Sequence, residues 1–397
     1  MIIKKERKIA LKSNKILYVI TKSDWGGAQK HLYDLIYCNK NHEEILVVVG
    51  NRGDLTEKLD EINVKYEIIN DLSNSISPLK DYRALLKIKK IVRSFNPDVV
   101  HLHSSKAGLL GRIASYFQRN KPKIIFTAHG WGFTPGTKFK NKILSLFTEY
   151  LTSWMLDKII CVSEYDKQIA QKYRVKNKKH IVSIYNGVSI PKGKFKFKNV
   201  NDRRVVFTMV ARFDSQKDYE LLVEAIYELK KKNIEMFNLS EFNFVGKGPL
   251  FSKVEKTIND KNLSSNINLM GFREDVIDIV GQSDVFLLIS KYEGLPISII
   301  EGLSLSKPII SSNVGGVSEL INENGFLINK NLQNPQKEIS EILNALETYL
   351  KMPELIKTHG ENSYKLFLEN FTIQSCINKT FTLYNSLVMS KKGIDGK

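Results

Sequence analysis

Glu293 and Glu301 flank a helix start in the run Glu293-Gly294-Leu295-Pro296-Ile297-Ser298-Ile299-Ile300-Glu301. Pro296 has no amide hydrogen and a φ already near the helical value, so it is expected at the first helical position. Glu293 then lies in the loop before the helix and Glu301 roughly a turn and a half inside it. The amides of Gly294 and Leu295 sit between the two acids. Free N–H groups and the helix dipole at such a terminus attract an anion, for example a diphosphate. A carboxylate repels a phosphate, so acids beside that seat are suited to accepting hydrogen bonds from hydroxyls. A nucleotide-sugar offers this layout, with a central diphosphate, ribose hydroxyls at one end and sugar hydroxyls at the other. A solvated glutamate pair around an ordinary helix cap is the competing reading.

Arg212 and Lys217 lie in Val210-Ala211-Arg212-Phe213-Asp214-Ser215-Gln216-Lys217-Asp218. A planar donor fork and a point charge together suit a diphosphate that must be neutralised as it leaves. The chain holds no Asp-x-Asp pair to carry a divalent cation, so no metal is expected and protein cations take that role. Ion pairs with Asp214 and Asp218 are the alternative use of these two residues. Gly246-Lys247-Gly248-Pro249 and Gly271-Phe272-Arg273 each follow a strand and are expected to line a nucleotide base. Gly26-Gly27-Ala28-Gln29 opens the first helix, where glycine permits close backbone approach, although it is not a GxGxxG fingerprint. His101 and His103 share one face of a strand by alternation. They could bind a metal, but no third ligand is evident, and a polar acceptor-side surface with Lys106 is the stronger reading. His129-Gly130 ends another strand, where His129 could hydrogen-bond a reacting sugar. For each histidine a structural hydrogen bond is the alternative.

These residues fall at the ends of alternating elements. Lys15–Thr21, Ile45–Val49, Val99–Leu102, Lys123–Ala128 and Lys158–Val162 read as strands buried on both faces. Gly27–Cys38, Leu79–Phe95, Ala107–Gln118 and Phe139–Leu156 read as the helices between them. The pattern restarts with strands Val205–Val210, Glu241–Val245, Ile267–Leu269, Val285–Ile289, Pro308–Ser311 and Phe326–Ile328. Helices Tyr219–Lys232, Leu250–Lys261, Ile297–Ser304 and Val317–Ile321 accompany them. A helical tail spans Glu338 to Leu387, broken at Pro353 and at Asn370-Phe371-Thr372. The fold class is therefore α/β, with two Rossmann-like doubly wound parallel sheets facing a cleft. The expected divisions are a first domain over 1–191, a linker over 192–204, a second domain over 205–370 and a final segment over 371–397.

The chain of 397 residues is long enough for two cores. It contains no apolar run long enough to span a bilayer, and Met1 to Lys15 lacks the apolar segment of a secretory signal. Three widely spaced cysteines fit a reducing compartment. The net charge of +18 is one-sided: residues 1–200 hold 37 Lys+Arg against 17 Asp+Glu, and the remainder 23 against 25. Such a field attracts anionic membrane, nucleic acid or an anionic substrate, and charge does not choose among them.

Together, Gly26-Gly27, His129-Gly130, Asn186-Gly187-Val188, Arg212 with Lys217, Gly246-x-Gly248 and Glu293-x7-Glu301 resemble the family 4 glycosyltransferases, the retaining GT-B class. The stretches Ser104 to Arg112 and Ala128-His129-Gly130-Trp131 resemble bacterial enzymes of capsule, exopolysaccharide or O-antigen synthesis. The resemblance implies that Glu301 accepts from ribose hydroxyls and Glu293 contacts the donor sugar. It implies that Arg212 and Lys217 hold the diphosphate, with Gly27 and His129 near the transferred sugar. It further implies helices crossing back to the first domain, and attack on the face that the phosphate leaves. The expected function is transfer from a nucleotide-sugar, namely a UDP-sugar, to a polyprenyl-diphosphate-linked saccharide at the cytoplasmic face of the membrane. Trp131, Phe133, Lys138, Phe139, Lys140 and Lys142 are the candidates for membrane contact. A nucleotide-sugar epimerase on the same architecture is the alternative enzyme, and a nucleic-acid-binding protein the alternative class, without a recognition motif to support it.

Overall fold

The computed structural model describes residues 14–134, 137, 139–191, 204–331 and 333–392. The basic N-terminal stretch through residue 13, linker residues 192–203 and Lys138 lie outside them. The first half runs β1 (Lys15–Val19), α1 (Gly27–Asn39), β2 (Glu44–Val49), α2 (Asp54–Glu61), β3 (Lys65–Ile68), α3 (Pro78–Phe95), β4 (Val99–His103), α4 (Ser105–Tyr116), β5 (Lys123–Ala128), α5 (Phe139–Thr152), β6 (Lys158–Cys161), α6 (Glu164–Lys172) and β7 (Ile181–Ser183). All seven strands are parallel, in the order β3-β2-β1-β4-β5-β6-β7.

The second half runs β8 (Val205–Val210), α7 (Tyr219–Lys232), α8 (Ile234–Asn238), β9 (Ser240–Val245), α9 (Phe251–Asp260), β10 (Ile267–Gly271), α10 (Val276–Gln282), β11 (Val285–Leu288), α11 (Ile297–Ser304), β12 (Ile309–Ser312), β13 (Gly325–Ile328), α12 (Pro335–Lys351), α13 (Glu354–Asn370) and α14 (Ile373–Lys392). Its six strands are parallel, in the order β10-β9-β8-β11-β12-β13. Each sheet is thus doubly wound, with strand order reversing between β1 and β4 in the first and between β8 and β11 in the second.

The apolar strand runs have a direct cause, because helices cover both faces of each sheet. Every residue of β4, including both histidines, is buried. Pro78 opens α3, and Asn96 closes it in the left-handed region at φ 50°, just before Pro97. The weaker elements α2, β3, α6, α8 and α10 escape the sequence pattern because they are short or largely polar. The segment expected as helix over Val317–Ile321 is instead a 3-10 turn over Gly315–Leu320. Likewise α5 ends at Thr152 and passes into a 3-10 turn, Ser153–Met155.

The tail changes domain at Phe371. Phe371 packs in the second core, whereas Cys376, Ile377, Phe381, Tyr384 and Val388 of α14 pack in the first with Ile16, Tyr18, Leu32 and Leu35. The crossing is held by two backbone bonds, Val188 N to Phe371 O at 3.0 Å and Ile373 N to Val188 O at 2.8 Å. Gly187 is required there, since a Cβ would stand 2.5 Å from the Thr372 carbonyl oxygen.

Two expected membrane-contact residues are corrected. Trp131 and Phe133 are buried, their rings stacked 4.9 Å apart, and the Trp131 indole donates to the Asp166 carbonyl at 2.9 Å. Burial of such large aromatics contributes to the first core and removes them from any surface.

Between α4 and α5 lies a buried ion pair. Fully buried Arg112 donates through Nη1 to Glu149 Oε2 at 2.7 Å and through Nη2 to Oε1 at 3.3 Å. Its Nε donates to the Gly108 carbonyl at 2.7 Å and its Nη1 to Thr152 Oγ1 at 3.0 Å. Removing one partner leaves an uncompensated buried charge, which costs about 3–5 kcal/mol. Glu149→Ala is therefore expected to lower unfolding free energy by about that amount in denaturant titration. A change within experimental error would refute the role given to the pair.

Candidate functional site

The loops after β8 and β11 flank the switch point of the second sheet, and those after β1 and β4 flank that of the first. In such sheets ligands bind at the strand C-terminal ends at this point. The two sets of loops meet. A Cβ on Gly294 would stand 2.9 Å from the His129 carbonyl oxygen and 3.4 Å from Gly130 Cα. Gly130 itself has φ 114°, a region that favours glycine. Gly294 is held from behind, where Gly316 N donates to its carbonyl at 2.9 Å. Ile297, the first residue of α11, stands against Gly27 of α1, so two helix N-termini converge. Asn186 Nδ2 donates to the Leu295 carbonyl at 3.3 Å. Glu319 takes the amides of Glu164 and Tyr165, at 2.9 and 2.7 Å, from across the domain boundary.

Pro296 is one position off the sequence expectation. Its φ of −69° is helical but its ψ of 118° is extended, which makes it the N-cap, and α11 begins at Ile297. The amides of Ile299 and Ile300 return to the Pro296 carbonyl, at 3.2 and 3.4 Å, so the first-turn amides of Ile297 and Ser298 point out of the helix.

Lys217 and Glu293, expected to grip different parts of a ligand, touch each other: Lys217 Nζ donates to Glu293 Oε1. Gln216 completes the arrangement, donating through Nε2 to Glu293 Oε2 at 3.2 Å and to the Tyr292 carbonyl at 2.8 Å. Arg212 is open by contrast. Its side chain is 71% exposed, and its approach to Asp214 is a loose 3.9 Å. Asp218 faces Lys330 at 3.4 Å and Lys291 at 3.8 Å rather than Lys217.

The glycines after β9 shape the Arg212 loop from beneath. A Cβ on Gly246, at φ 143°, would fall 2.0 Å from the Ala211 carbonyl oxygen, and one on Gly248 would fall 2.3 Å from that of Phe213. Both residues thus serve close backbone packing. Gly271, at φ 65°, has open space around it, and Phe272 presents an exposed ring with Lys247 Nζ 4.7 Å from its centre. Glu301 lies on α11 with Lys30 of α1 at 4.0 Å across the cleft, and Lys30 also bonds Asp34 at 3.2 Å. Burial raises the Glu301 carboxyl above its ordinary range, with Lys30 opposing.

On the first-domain side the histidines form a cluster. His103 Nδ1 and His129 Nε2 share a hydrogen bond at 3.0 Å. His101 shares one with the Tyr384 hydroxyl of α14 at 2.5 Å and another with Thr127 Oγ1 at 2.7 Å. His31 of α1 supplies the third member that the sequence did not reveal, so that His31, His103 and His129 each offer a nitrogen within 4.8 Å of the others. Among the described residues this is the group with metal-ligand geometry. Burial holds His31 down to about 4, and holds His101, His103 and His129 well below the ordinary imidazole range. His129 is half-buried at the cleft and His103 sits fully buried behind it. Lys106, expected on the acceptor side, is bound to Asp81 at 2.6 Å on the α3 side. Gly26 caps α1 at the cleft.

The structure thus brings Gly27, His129, Glu293, Gly294, Leu295 and the start of α11 together, with Arg212 and Lys217 on the adjoining loop. Gln216, His31 and Lys30 were not anticipated. Their partners are distant in sequence, and no local pattern marks them.

The chain matches the family described as "Glycosyltransferase Family 4" over residues 25–191 and that described as "Glycosyl transferases group 1" over residues 192–366. It is similar to the UDP-Gal:alpha-D-GlcNAc-diphosphoundecaprenol alpha-1,3-galactosyltransferase of Escherichia coli, with 31% identity over 88% of this chain and 90% of that one. It is 26% identical to the capsular polysaccharide biosynthesis glycosyltransferase CapH of Staphylococcus aureus, over 77% of this chain and 83% of that one. Its fold is that of the Anabaena HepE protein crystallised with UDP and glucose, at a TM-score of 0.78 and 18% identity over 94% of this chain and all of that one.

Two predictions follow from the geometry. Gly294→Ala sets a methyl group 2.9 Å from the His129 backbone carbonyl oxygen and is expected to lower the melting temperature and to reduce turnover at least tenfold below it. Normal turnover would show that the loop contact is dispensable. The histidine cluster sets a pH dependence. The folded values are depressed, so below about 6.5 the unfolded chain binds protons that the folded chain refuses. Stability is fully present above that value and lost as pH falls from about 6.5 toward 4. Melting temperatures across pH 4–8 should show this slope, and His31→Asn should flatten it.

Proposed function

The chain belongs to glycosyltransferase family 4, and on that premise we propose that it moves a hexose from a UDP-sugar to a saccharide carried on a polyprenyl diphosphate. The product would be a repeat unit of a bacterial surface polysaccharide. The observation that carries this reading is the meeting of open Arg212, the Lys217–Glu293 pair and the α11 start with His129 at one switch point. The E. coli relative, whose name specifies a UDP-sugar and a diphosphoundecaprenol-linked acceptor, supports the choice of substrates.

Arg212 and the α11 amides receive the diphosphate, and Lys217 adds its charge from beside Glu293. Glu293 accepts from sugar hydroxyls and Glu301 from the ribose. Gly271 and Phe272 border the base. His129, kept neutral at neutral pH by desolvation and by the neighbouring His31 and His101, orients the sugar from the opposite domain. The bond from the sugar's anomeric carbon to the phosphate oxygen breaks, and the acceptor oxygen bonds that carbon from the same face. The acceptor's proton passes to the departing phosphate oxygen, so configuration is retained. Positive charge at the leaving group comes from the protein. A cation bridging phosphates takes oxygen ligands, whereas among the described residues the cluster with metal-ligand geometry is made of imidazoles. No described helix is long and apolar enough to cross a membrane, and the protein works peripherally at the cytoplasmic face.

Arg212→Ala and Glu293→Gln are each expected to cut turnover by about 10²–10³, measured as UDP release with a lipid-linked acceptor. EDTA should leave the wild-type rate unchanged. Donor consumption at the same rate without acceptor would favour the epimerase instead.

A further inference from the structure

Helix α5 is built inside out. Its exposed large apolar side chains are Phe139, Ile143, Leu144, Phe147, Tyr150 and Leu151, followed by exposed Trp154 in the next turn. At ~100° per residue these positions fall within an arc of about 140°. The opposite side carries polar groups turned inward. Glu149 and Thr152 bond Arg112, and Lys142 lies over the Tyr173 ring at 5.3 Å. A helix of a soluble domain ordinarily buries its apolar stripe and exposes its charges. Here the buried Arg112–Glu149 pair anchors the helix, which leaves the apolar stripe facing outward. The patch continues onto the end of α4, where Tyr116 meets Trp154 edge-on at 4.8 Å and Phe117 is exposed.

We infer that this face lies on an anionic lipid bilayer, an inference that rests on the lipid-linked acceptor proposed above. The charge around it is complementary to such a surface. Exposed Arg119 follows Phe117, Lys140 and Lys142 lie on α5, and the one acid of α5, Glu149, is turned inward onto Arg112. Lys140 is exposed within the arc, and Lys121 sits 3.6 Å from the centre of the Tyr116 ring. Aromatic and aliphatic side chains edged by lysine suit a helix lying in the plane of the headgroups. Self-association is disfavoured, because a two-fold interface through this face would set the two copies' lysines against one another. The placement also serves transfer. α5 follows the loop that carries His129 at the C-terminal end of β5, so its Phe139 end is the one nearest the cleft. A sugar diphosphate anchored in the bilayer beside that end would be presented at the sheet's ligand-binding edge.

The test uses the full chain, with Ile143→Glu and Phe147→Glu combined, and flotation with vesicles of phosphatidylethanolamine and phosphatidylglycerol at low salt. The wild type is expected to float with these and not with phosphatidylcholine alone. The double variant should bind at least tenfold more weakly, with an unchanged melting temperature. Its transfer to a short-chain, water-soluble sugar-diphosphate acceptor should be normal, and its transfer to vesicle-embedded acceptor reduced at least tenfold. Equal flotation of variant and wild type would overturn the inference. So would failure of the wild type to float, or a wild-type dimer that the substitutions split without changing flotation. Flotation that depends on this face in a protein inactive toward every acceptor would support the docking surface and refute the substrate reading.

Discussion

The molecule depends on the approach of two backbones. Gly294, from the β11 loop of one sheet, lies against His129 and Gly130, from the β5 loop of the other. No side chain intervenes, and none could. This contact turns two separate strand-end surfaces into a single cleft. Gly315, at φ 58°, and Gly316 support it from behind, since a Cβ on Gly315 would fall 2.0 Å from the Glu293 carbonyl oxygen. The glycines of this region therefore set distances between chain segments, and the charged side chains then act across those distances.

Within the cleft, charges are held in different ways. Lys217 and Glu293 neutralise each other, with Gln216 steadying the carboxylate, while Arg212 extends freely. Under the proposed reading, a diphosphate would meet the open guanidinium first and would reach Lys217 only by sharing it with Glu293. Phosphate and sugar recognition would then be coupled through one ion pair. The histidines opposite stay uncharged because they are buried together, each adding to the cost of protonating its neighbours.

Much of this was legible in the sequence, because buried parallel strands write themselves as apolar runs and helix starts as Gly and Pro signals. β5, β8, α7 and the core of α11 have the bounds that the pattern implies. Short polar elements such as α2 and α6 were not legible, since they are defined by packing and capping from afar, as when Glu319 caps α6 from the other domain. The same distinction runs through the site. Glu293, Arg212 and Gly294 announce themselves by position after strands. His31 sits mid-helix and joins His103 and His129 only through the sheet order. Trp131 and Phe133 were misjudged because an aromatic pair between a glycine and a lysine-rich helix reads as surface. Only the fold shows the rings stacked beneath it.

The chain leaves the first domain at Val188 and returns to it at Thr372, and the two passages are hydrogen-bonded side by side with Gly187 pressed against the returning strand. Sliding one passage along the other would break both backbone bonds and drive Gly187 into the Thr372 carbonyl. The crossing therefore fixes the register in which the two halves face each other.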